Sequence, residues 1–167
     1  MHRPVLLKEV VDLLDVRVGG VYVDGTLGSG GHAAVILERM GTGGRLIGMD
    51  RDEEALERSR RRLQAYGERC VMVHGNYGNM ADIVRANGVA RVNGILLDLG
   101  VSTEQLESSG RGFSFMNDGP LDMRMDRSSG LTAADLVNSL SEEELGGILK
   151  TWGEERSARK IARRIVN

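Results

Sequence analysis

The segment Val21-Tyr-Val-Asp-Gly-Thr-Leu-Gly-Ser-Gly-Gly-His32 decides the fold of this chain. It opens with β-branched and aromatic residues, which are typical of a short buried strand, and that strand ends at Asp24. Glycines follow, and apolar residues then recur at helical spacing as far as Met40. A strand, a glycine loop and a helix N-terminus together form a site for an anionic group. Bare glycines let a ligand approach the N–H groups at the positive end of the helix.

Two classes of ligand use such a loop. The pattern Gly28-x-Gly30-x-x-Ala33 satisfies the fingerprint of dinucleotide-binding enzymes. The pattern Asp24-x-Thr26-x-Gly28-x-Gly30 also fits the loop of S-adenosylmethionine enzymes, with Thr26 in place of the first glycine. A glycine-rich turn without any ligand is the third interpretation, so the loop alone leaves the ligand open.

Composition restricts the class of protein. A chain of 167 residues, 41% hydrophobic and 28% charged, has the profile of one soluble globular domain. The net charge of −2 excludes a uniformly basic surface, so any nucleic-acid contact must come from a local patch. Cys70 is the only cysteine, which excludes an intrachain disulfide and a cysteine-based metal site and favours a reducing, cytoplasmic setting. No metal site and no membrane contact are expected, since no apolar run approaches the ~20 residues of a membrane span.

Three more apolar segments are predicted to be strands, and helical patterns separate them. This alternation indicates parallel βαβ units, with helices on both faces of the sheet. The expected strand order is 3-2-1-4, in an α/β fold. The segments after the first strand are Arg45–Asp50, Cys70–His74 and Val92–Asp98.

Polar and aromatic side chains stand at the C-terminal ends of these strands, on the rim where open α/β sheets bind ligands. Asp50 lies about 20 residues beyond the glycines, where an acid accepts hydrogen bonds from ribose hydroxyls. A plain turn aspartate is its alternative role. Tyr77 is predicted either to stack on an adenine or to anchor its loop. Asp24 and Asp98 complete the rim.

The fourth predicted strand would lie at an open edge, with apolar side chains on both faces. Such an edge favours aggregation unless another strand pairs with it. We therefore expect further strands of the same sheet to come from beyond residue 167, with the helical stretch after the fourth strand inserted within the fold. Pairing of the edge with another copy of the chain is the alternative.

The character of the chain changes after Leu99. A polar, glycine-rich loop over residues 110–126 is too long for a simple connection and is predicted to be a functional lid. Phe113 and Phe115 either stack on a splayed base or pin the loop to the core. Arg111 and Arg124 are further candidate RNA contacts. We predict a cofactor-binding domain over 1–104 and, over 105–167, the lid loop with the start of a helical RNA-recognition domain.

The last stretch of the chain is basic. Residues 150–167 hold six Lys or Arg and two Glu, a net charge of +4. Such a segment either contacts the RNA backbone or is an ordinary solvated helix face. The candidate contacts on its predicted helix are Arg159, Lys160, Arg163 and Arg164.

Motifs along the whole chain resemble the N-terminal part of the small-subunit ribosomal RNA methyltransferase H family, also called MraW. The resemblance implies a Rossmann-like class I methyltransferase fold that uses S-adenosylmethionine, with a helical insertion that helps to hold RNA. The implied reaction methylates N4 of a cytidine in 16S rRNA. The motifs are His2-Arg-Pro-Val-Leu-Leu7, Asp24-Gly-Thr-Leu-Gly-Ser-Gly-Gly-His32, Gly48-Met-Asp-Arg-Asp52, Leu96-Leu-Asp-Leu-Gly-Val-Ser102, Arg111-Gly-Phe-Ser-Phe115, Pro120-Leu-Asp-Met-Arg-Met125 and Gly153-Glu-Glu155.

The resemblance also implies which residues contact the cofactor. Tyr77 stands where the family commonly has phenylalanine, which preserves a ring. Asp24 and Gly28 of the glycine loop are predicted to join the set. The implied contacts are Gly30, Gly31, His32, Asp50, Tyr77, Asp98 and Gln105.

The amine of cytosine is a poor nucleophile, so an acceptor for an N4 hydrogen would help the transfer. Amino-methylating enzymes often place a Pro-Pro-aromatic turn after the fourth strand, but here that position has Asp98-Leu-Gly-Val. Asp98 is the candidate acceptor, unless it serves the cofactor, and Asp122 is the second candidate. A nicotinamide dehydrogenase is disfavoured because the loop after the fourth strand offers no evident set of His, Lys and Tyr for hydride transfer. A catalytically silent RNA-binding fragment is the remaining alternative.

Overall fold

The computed structural model describes residues 4–167, and the described chain forms two compact units. One unit runs to Val101 and the other from Ser102 to Asn167, three residues before the boundary placed at 104 from the sequence. The motif at residues 2–7 begins outside the described residues. None of the helices over 4–167 is long and apolar enough to cross a membrane.

The first unit contains a parallel sheet whose strand order, β3-β2-β1-β4, confirms the predicted 3-2-1-4 arrangement. Strand β4 is shorter than predicted and covers three residues, because the chain beyond Leu96 leaves the ladder. The strands are β1 (Val21–Asp24), β2 (Arg45–Asp50), β3 (Cys70–His74) and β4 (Gly94–Leu96).

Helices cover both faces of this sheet. On one face, Tyr22 packs with buried side chains of the first three helices, such as Val11, Ile36 and Leu56. On the other face, Val23 and Ile47 pack against the fourth helix. β1 is therefore buried on both sides, as expected for a central parallel strand. The helices of this unit are α1 (Leu7–Leu13), α2 (Gly31–Met40), α3 (Glu53–Leu63) and α4 (Met80–Ala86).

Strand β4 lies at the edge of the sheet, and within residues 4–167 no strand pairs with its outer side. Ile95, Leu97 and Leu99 are 49%, 43% and 65% exposed. This is the apolar open edge expected from the sequence. Self-association through it stays a prediction, which sedimentation velocity of Ile95→Lys beside the parent chain tests.

The second unit is helical, apart from the long loop. Ser141 and Thr132 close capping boxes with the third residue of their helices, as their sequence patterns predict, and Ser102 closes another with Gln105. The helices are α5 (Thr103–Glu107), α6 (Ala133–Ser139), α7 (Glu142–Thr151) and α8 (Ala158–Val166).

Candidate functional site

Three aspartates meet at the C-terminal rim of the sheet. Asp24 ends β1, Asp50 ends β2, and Asp98 follows β4 by two residues. Because β1 lies between β2 and β4, Asp24 stands between the other two. The carboxylates are close enough for Asp50 and Asp98 to raise the pKa of Asp24.

Asp24 is the most deeply buried of the three, with 1% of its surface exposed. Its Oδ1 accepts a hydrogen bond from the Thr26 N–H at 3.1 Å. Burial raises the pKa of Asp24 to about 7, and the neighbouring carboxylates add to the shift while the Thr26 hydrogen bond opposes it. Near neutral pH the Asp24 carboxyl is therefore divided between its protonated and its ionised form.

Asp50 holds the glycine loop in place. Its Oδ2 accepts from the Gly28 N–H at 2.7 Å, and its Oδ1 accepts from the Asp52 N–H at 2.9 Å. Burial raises the pKa of Asp50, and these hydrogen bonds oppose that rise. One carboxylate thus joins the glycine loop to the start of α3, where Asp52 caps the helix. A carboxylate oxygen accepts more than one hydrogen bond, so this geometry is compatible with an additional contact to ribose.

The glycine loop has a backbone that only glycine adopts readily. Gly28 and Gly30 have φ of 54° and 72°, in the left-handed region. A Cβ on Gly30 would also lie 3.0 Å from Leu63 Cδ1 and from Ser59 Oγ, and a Cβ on Gly31 would collide with the ring of Pro4. The Ser59 hydroxyl donates to the Gly28 carbonyl at 2.8 Å and fixes the turn from below.

This loop leads into α2, a helix of ten residues whose N-cap is Gly30. N–H groups in the first turn of a helix have no partner within the helix. The Gly30 N–H itself donates to the Leu27 carbonyl at 2.8 Å, so an anionic group would be held by the N–H groups that follow it in the first turn. The observed loop therefore fits the carboxylate end of an amino-acid nucleoside or a phosphate equally well.

His32 follows this turn with its ring 8% exposed. Nε2 lies 3.0 Å from the Val5 carbonyl, so the Nε2–H donates to it. Nδ1 lies 3.9 Å from Oδ2 of Asp98. The ring therefore stands between the N-terminal segment and the rim, with its second nitrogen directed toward a carboxylate.

Asp98 is anchored by its backbone and leaves its carboxylate accessible. The Asp98 N–H donates to Oγ1 of Thr26 at 2.6 Å, while half of the Asp98 side chain is exposed. The sequence showed Thr26 only as a departure from the glycine of the motif, and its hydroxyl function was missed. The departure itself was the available signal.

Tyr77 begins a short turn after β3 and is 40% exposed. The Tyr77 Cβ lies 3.2 Å from the position that a Cβ on Gly25 would take, so the Tyr77 side chain begins beside the end of β1. The structure therefore brings Tyr77 to the same rim as the aspartates. Exposed ring surface at that place is compatible with the predicted stacking on an adenine.

The remaining predicted site residues belong to the second unit. Gln105 is buried, and its side-chain oxygen accepts from the Ser102 N–H at 2.9 Å in the α5 cap. Asp122 is 6% exposed and accepts from Arg124 through Nε at 2.8 Å and Nη2 at 3.0 Å. These Arg124 hydrogen bonds lower the pKa of Asp122 to about 2. A carboxylate with that pKa is a poor proton acceptor.

Arg111 was predicted from the sequence to contact RNA, and the structure places it instead in the interior of the second unit. It is 2% exposed, and its Nη2 donates to the carbonyls of Arg124 and Met125 at 3.1 and 3.0 Å. A guanidinium in that position is not presented to a nucleic acid. Its function is to hold the long loop together.

The two loop phenylalanines differ in exposure. Phe113 is partly buried, whereas Phe115 is 92% exposed. Phe113 therefore has the surroundings of an anchor, and Phe115 has the exposure that stacking requires. Four basic side chains of α8 are also exposed, namely Arg159, Lys160, Arg163 and Arg164. Within residues 4–167, no group of three or more His, Cys, Asp or Glu side chains is arranged to hold a metal ion.

The parallel sheet of order 3-2-1-4, with helices on both faces, defines the first unit as a member of the Rossmann-like class of α/β folds. The chain belongs to the MraW methylase family, whose model matches residues 1–167.

Curated relatives carry the name ribosomal RNA small subunit methyltransferase H. The protein of that name from Syntrophotalea carbinolica is 54% identical over 164 residues, which cover 98% of this chain and 52% of the relative. That from Geobacter sulfurreducens is 55% identical over 165 residues, covering 99% and 53%. The chain thus spans about half the length of the curated relatives it matches.

Solved structures give more distant likenesses. A SAM-dependent O-methyltransferase from Thermotoga maritima aligns with a TM-score of 0.43 at 23% identity, covering 47% of this chain and 32% of that chain. An rRNA methylase from Streptococcus thermophilus aligns with a TM-score of 0.40 at 23% identity, covering 51% and 46%. Neither likeness bears on function.

Proposed function

We propose that this chain is the cofactor-binding part of a methyltransferase that acts on small-subunit ribosomal RNA and uses S-adenosylmethionine. The observation that carries the proposal is the convergence of Asp24, Asp50 and Asp98 on a glycine loop that opens a helix. Family membership and the printed names of the relatives support the reaction class and the RNA. The finer parts of the proposal are N4 of a cytidine in 16S rRNA as the target and a cytoplasmic location.

Each rim residue has a place in this proposal. The N–H groups that open α2 hold the carboxylate end of the cofactor, the Asp50 carboxylate holds its ribose hydroxyls, and the Tyr77 ring covers its adenine. Gln105, the remaining contact that the resemblance implies, stays a prediction. The bound cofactor supplies an already activated methyl group, so the protein's main task is to align it with the acceptor nitrogen.

For the reacting amine, Asp98 is the proposed hydrogen-bond acceptor. Its carboxylate is half exposed on the rim, whereas the Asp122 carboxylate is occupied by Arg124 and strongly acidic. Methyl transfer would break the bond between the methyl carbon and the cofactor sulfur, and Asp98 would accept a hydrogen bond from the N4 hydrogen that leaves as a proton. Asp122 is accordingly assigned to the structure of the loop.

Calorimetry is the first test of the cofactor. Micromolar binding of S-adenosylhomocysteine without binding of NAD is expected. Binding of NAD alone would overturn the proposal in favour of a dehydrogenase.

Transfer of a radiolabelled methyl group to 30S subunits tests the reaction. The 167-residue chain is assayed beside a full-length relative, such as that of Geobacter sulfurreducens. Transfer by the relative alone would show that this chain is the cofactor-binding part and needs the remaining half for activity. Transfer by the 167-residue chain itself would reject the silent RNA-binding fragment.

The variant Asp98→Asn separates the two functions proposed for Asp98. As an acceptor, Asp98 affects kcat by about 10²-fold or more while the affinity for S-adenosylhomocysteine is retained. A loss of that affinity instead would assign Asp98 to the cofactor. Asp118→Asn, an exposed aspartate of the second unit, is the matched control.

A further inference from the structure

The second unit carries one more exposed aromatic residue, which the sequence analysis did not single out. Trp152 follows the last residue of α7 and is 84% exposed. It is the only tryptophan of the chain. Tryptophan is normally well buried, and its large flat ring is a favourable platform for stacking.

The turn after α7 is tight and brings Trp152 to the same end of the helix pair as the start of α8. The Trp152 N–H donates to the Ile148 carbonyl at 2.9 Å, and the Glu155 N–H donates to the Leu149 carbonyl at 3.1 Å. α8 begins three residues later, at Ala158. The Trp152 backbone therefore lies at the end of the helix pair where α8 begins.

Helices α7 and α8 pack as an antiparallel pair. A Cβ on Gly146 would lie 3.7 Å from Ala162 Cβ, and Glu142, at the start of α7, pairs with Arg163 near the end of α8 at 3.3 Å. Ala158 and Ala162 are buried. The opposite face of α8 consequently points outward along its whole length.

That outward face is basic. From Arg159 to Arg164 it extends about 7.5 Å at the ~1.5 Å rise of a helix. All of its charged side chains are exposed, and residues 150–167 have a net charge of +4 in a chain of net −2. Its members are Arg159, Lys160, Arg163 and Arg164, and the exposed Arg156 precedes the helix.

We propose that Trp152 and the basic face of α8 form a binding surface for single-stranded RNA, in which the indole stacks on an unpaired base and the α8 side chains hold the adjacent phosphates. Aromatic stacking beside a positively charged groove is the usual chemistry of single-strand binding. A duplex keeps its bases stacked inside and offers the indole no base face. This inference deepens the proposed action on ribosomal RNA and rests on it.

A membrane surface is the competing partner for a basic amphipathic helix. That mode of binding buries the apolar face of the helix in lipid. Here Ala158 and Ala162 of that face are already packed within the unit, although Ile165 and Val166 at its end stay half exposed. The exposed chemistry of α8 is therefore cationic along most of its length, which favours RNA.

Because Trp152 is the only tryptophan, its fluorescence reports on the surface directly. The 167-residue chain is titrated with an unstructured RNA of about ten nucleotides, a length within the range of single-strand sites. The same sequence as a duplex is titrated in parallel. Quenching by the single strand and little quenching by the duplex are expected.

Variants then divide the surface into its two parts. Trp152→Ala should weaken binding of end-labelled RNA at least fivefold, and Trp152→Phe should recover most of that loss. The double variant Lys160→Ala with Arg164→Ala should make the plot of log K against log salt shallower by about 1.4. The matched control neutralises Arg61 and Arg62, two exposed arginines of α3, and should leave both measurements unchanged.

Several results would overturn the inference. These are equal quenching by duplex and single strand, binding unaffected by Trp152→Ala, binding to vesicles of phosphatidylserine and phosphatidylcholine in place of RNA, and a concentration-dependent dimer that shields Trp152 without RNA. The affinity for S-adenosylhomocysteine is measured on every variant. Loss of RNA binding with cofactor binding intact removes this inference alone, and loss of cofactor binding in the parent chain removes the proposed methyl transfer.

Discussion

The glycine loop after β1 and the loop between α5 and α6 each enclose a buried aspartate, and the two aspartates have opposite electrostatics. Burial and neighbouring carboxylates raise the pKa of Asp24 to about 7, whereas hydrogen bonds from Arg124 lower the pKa of Asp122 to about 2. The first loop lies at the rim beside a group of three carboxylates, two of which raise the pKa of the third. The second satisfies its charges internally. A ligand site requires the first condition, and a rigid scaffold requires the second.

The two loops are also held by different means. Left-handed glycines fix the glycine loop together with two separate side chains, since Asp50 accepts from the Gly28 N–H and Ser59 donates to the Gly28 carbonyl. Buried side chains fix the other loop, since the Arg111 guanidinium binds carbonyls 13 and 14 residues along the chain. Removing one side chain should therefore damage the second loop more than the first.

The largest effect is expected for Arg111→Met. The variant keeps the apolar stem but removes the donors to the carbonyls of Arg124 and Met125, and each acceptor left unsatisfied costs about 1–3 kcal/mol. Hydrogen exchange should lose protection across residues 109–134, while the glycine loop stays protected. Arg127→Ala, which removes a half-exposed arginine of the same loop, is the control. Unchanged protection in Arg111→Met would contradict the side-chain account of this loop.

The second prediction concerns pH. Because the pKa of Asp24 is raised in the folded chain, the unfolded state releases this proton first as pH rises, from about pH 4. The folded state then binds more protons than the unfolded state, so the free energy of unfolding falls between about pH 4 and 7. The pKa difference of about three units corresponds to roughly 4 kcal/mol at about 1.4 kcal/mol per unit, and roughly 3 kcal/mol of it is lost within this window.

Asp24→Asn is the matched variant, because an amide keeps the oxygen that accepts from the Thr26 N–H without titrating. Urea unfolding of the variant should vary less with pH across that window. The second unit has the opposite sign, since the lowered pKa of Asp122 contributes stability that is lost only as pH falls toward 2. A parent chain whose first unit is equally stable at pH 4 and 7 would refute the assigned burial of Asp24.

The contrast between the loops also explains what the sequence could predict. Strand order, the acidic rim and the glycine turn follow from local signals, because apolar runs, strand ends and glycines each act within a few residues. The position of Arg111 depends on carbonyl groups 13 and 14 residues away in an irregular loop. The residue type alone suggested an RNA contact, whereas the structure shows a buried side chain that holds the loop. Trp152 was missed because exposure depends on how α7 and α8 pack, which no local pattern reveals.

A smaller effect is expected for Gly30→Ala, which tests the backbone account of the glycine loop. Gly30 has φ of 72°, and a Cβ there would lie 3.0 Å from Leu63 and Ser59. The left-handed conformation alone costs a side chain about 1–2 kcal/mol. The free energy of unfolding should fall by that amount or somewhat more, and binding of S-adenosylhomocysteine should weaken. Gly43→Ala is the control, since a Cβ there meets only Gly19 Cα at 3.7 Å.

The smallest effect is expected for Thr26→Val, which removes one hydroxyl from the rim and keeps the side-chain shape. The Thr26 Oγ1 accepts from the Asp98 N–H at 2.6 Å, and the net value of such a bond is about 1 kcal/mol. Stability should fall by that amount only. The stronger consequence is positional, because Asp98 then loses the anchor that holds its carboxylate at the rim. Thr26→Ser restores the acceptor and should recover the loss. If Thr26→Val binds S-adenosylhomocysteine and transfers methyl groups like the parent, the rim does not depend on side-chain anchors and the backbone alone positions Asp98.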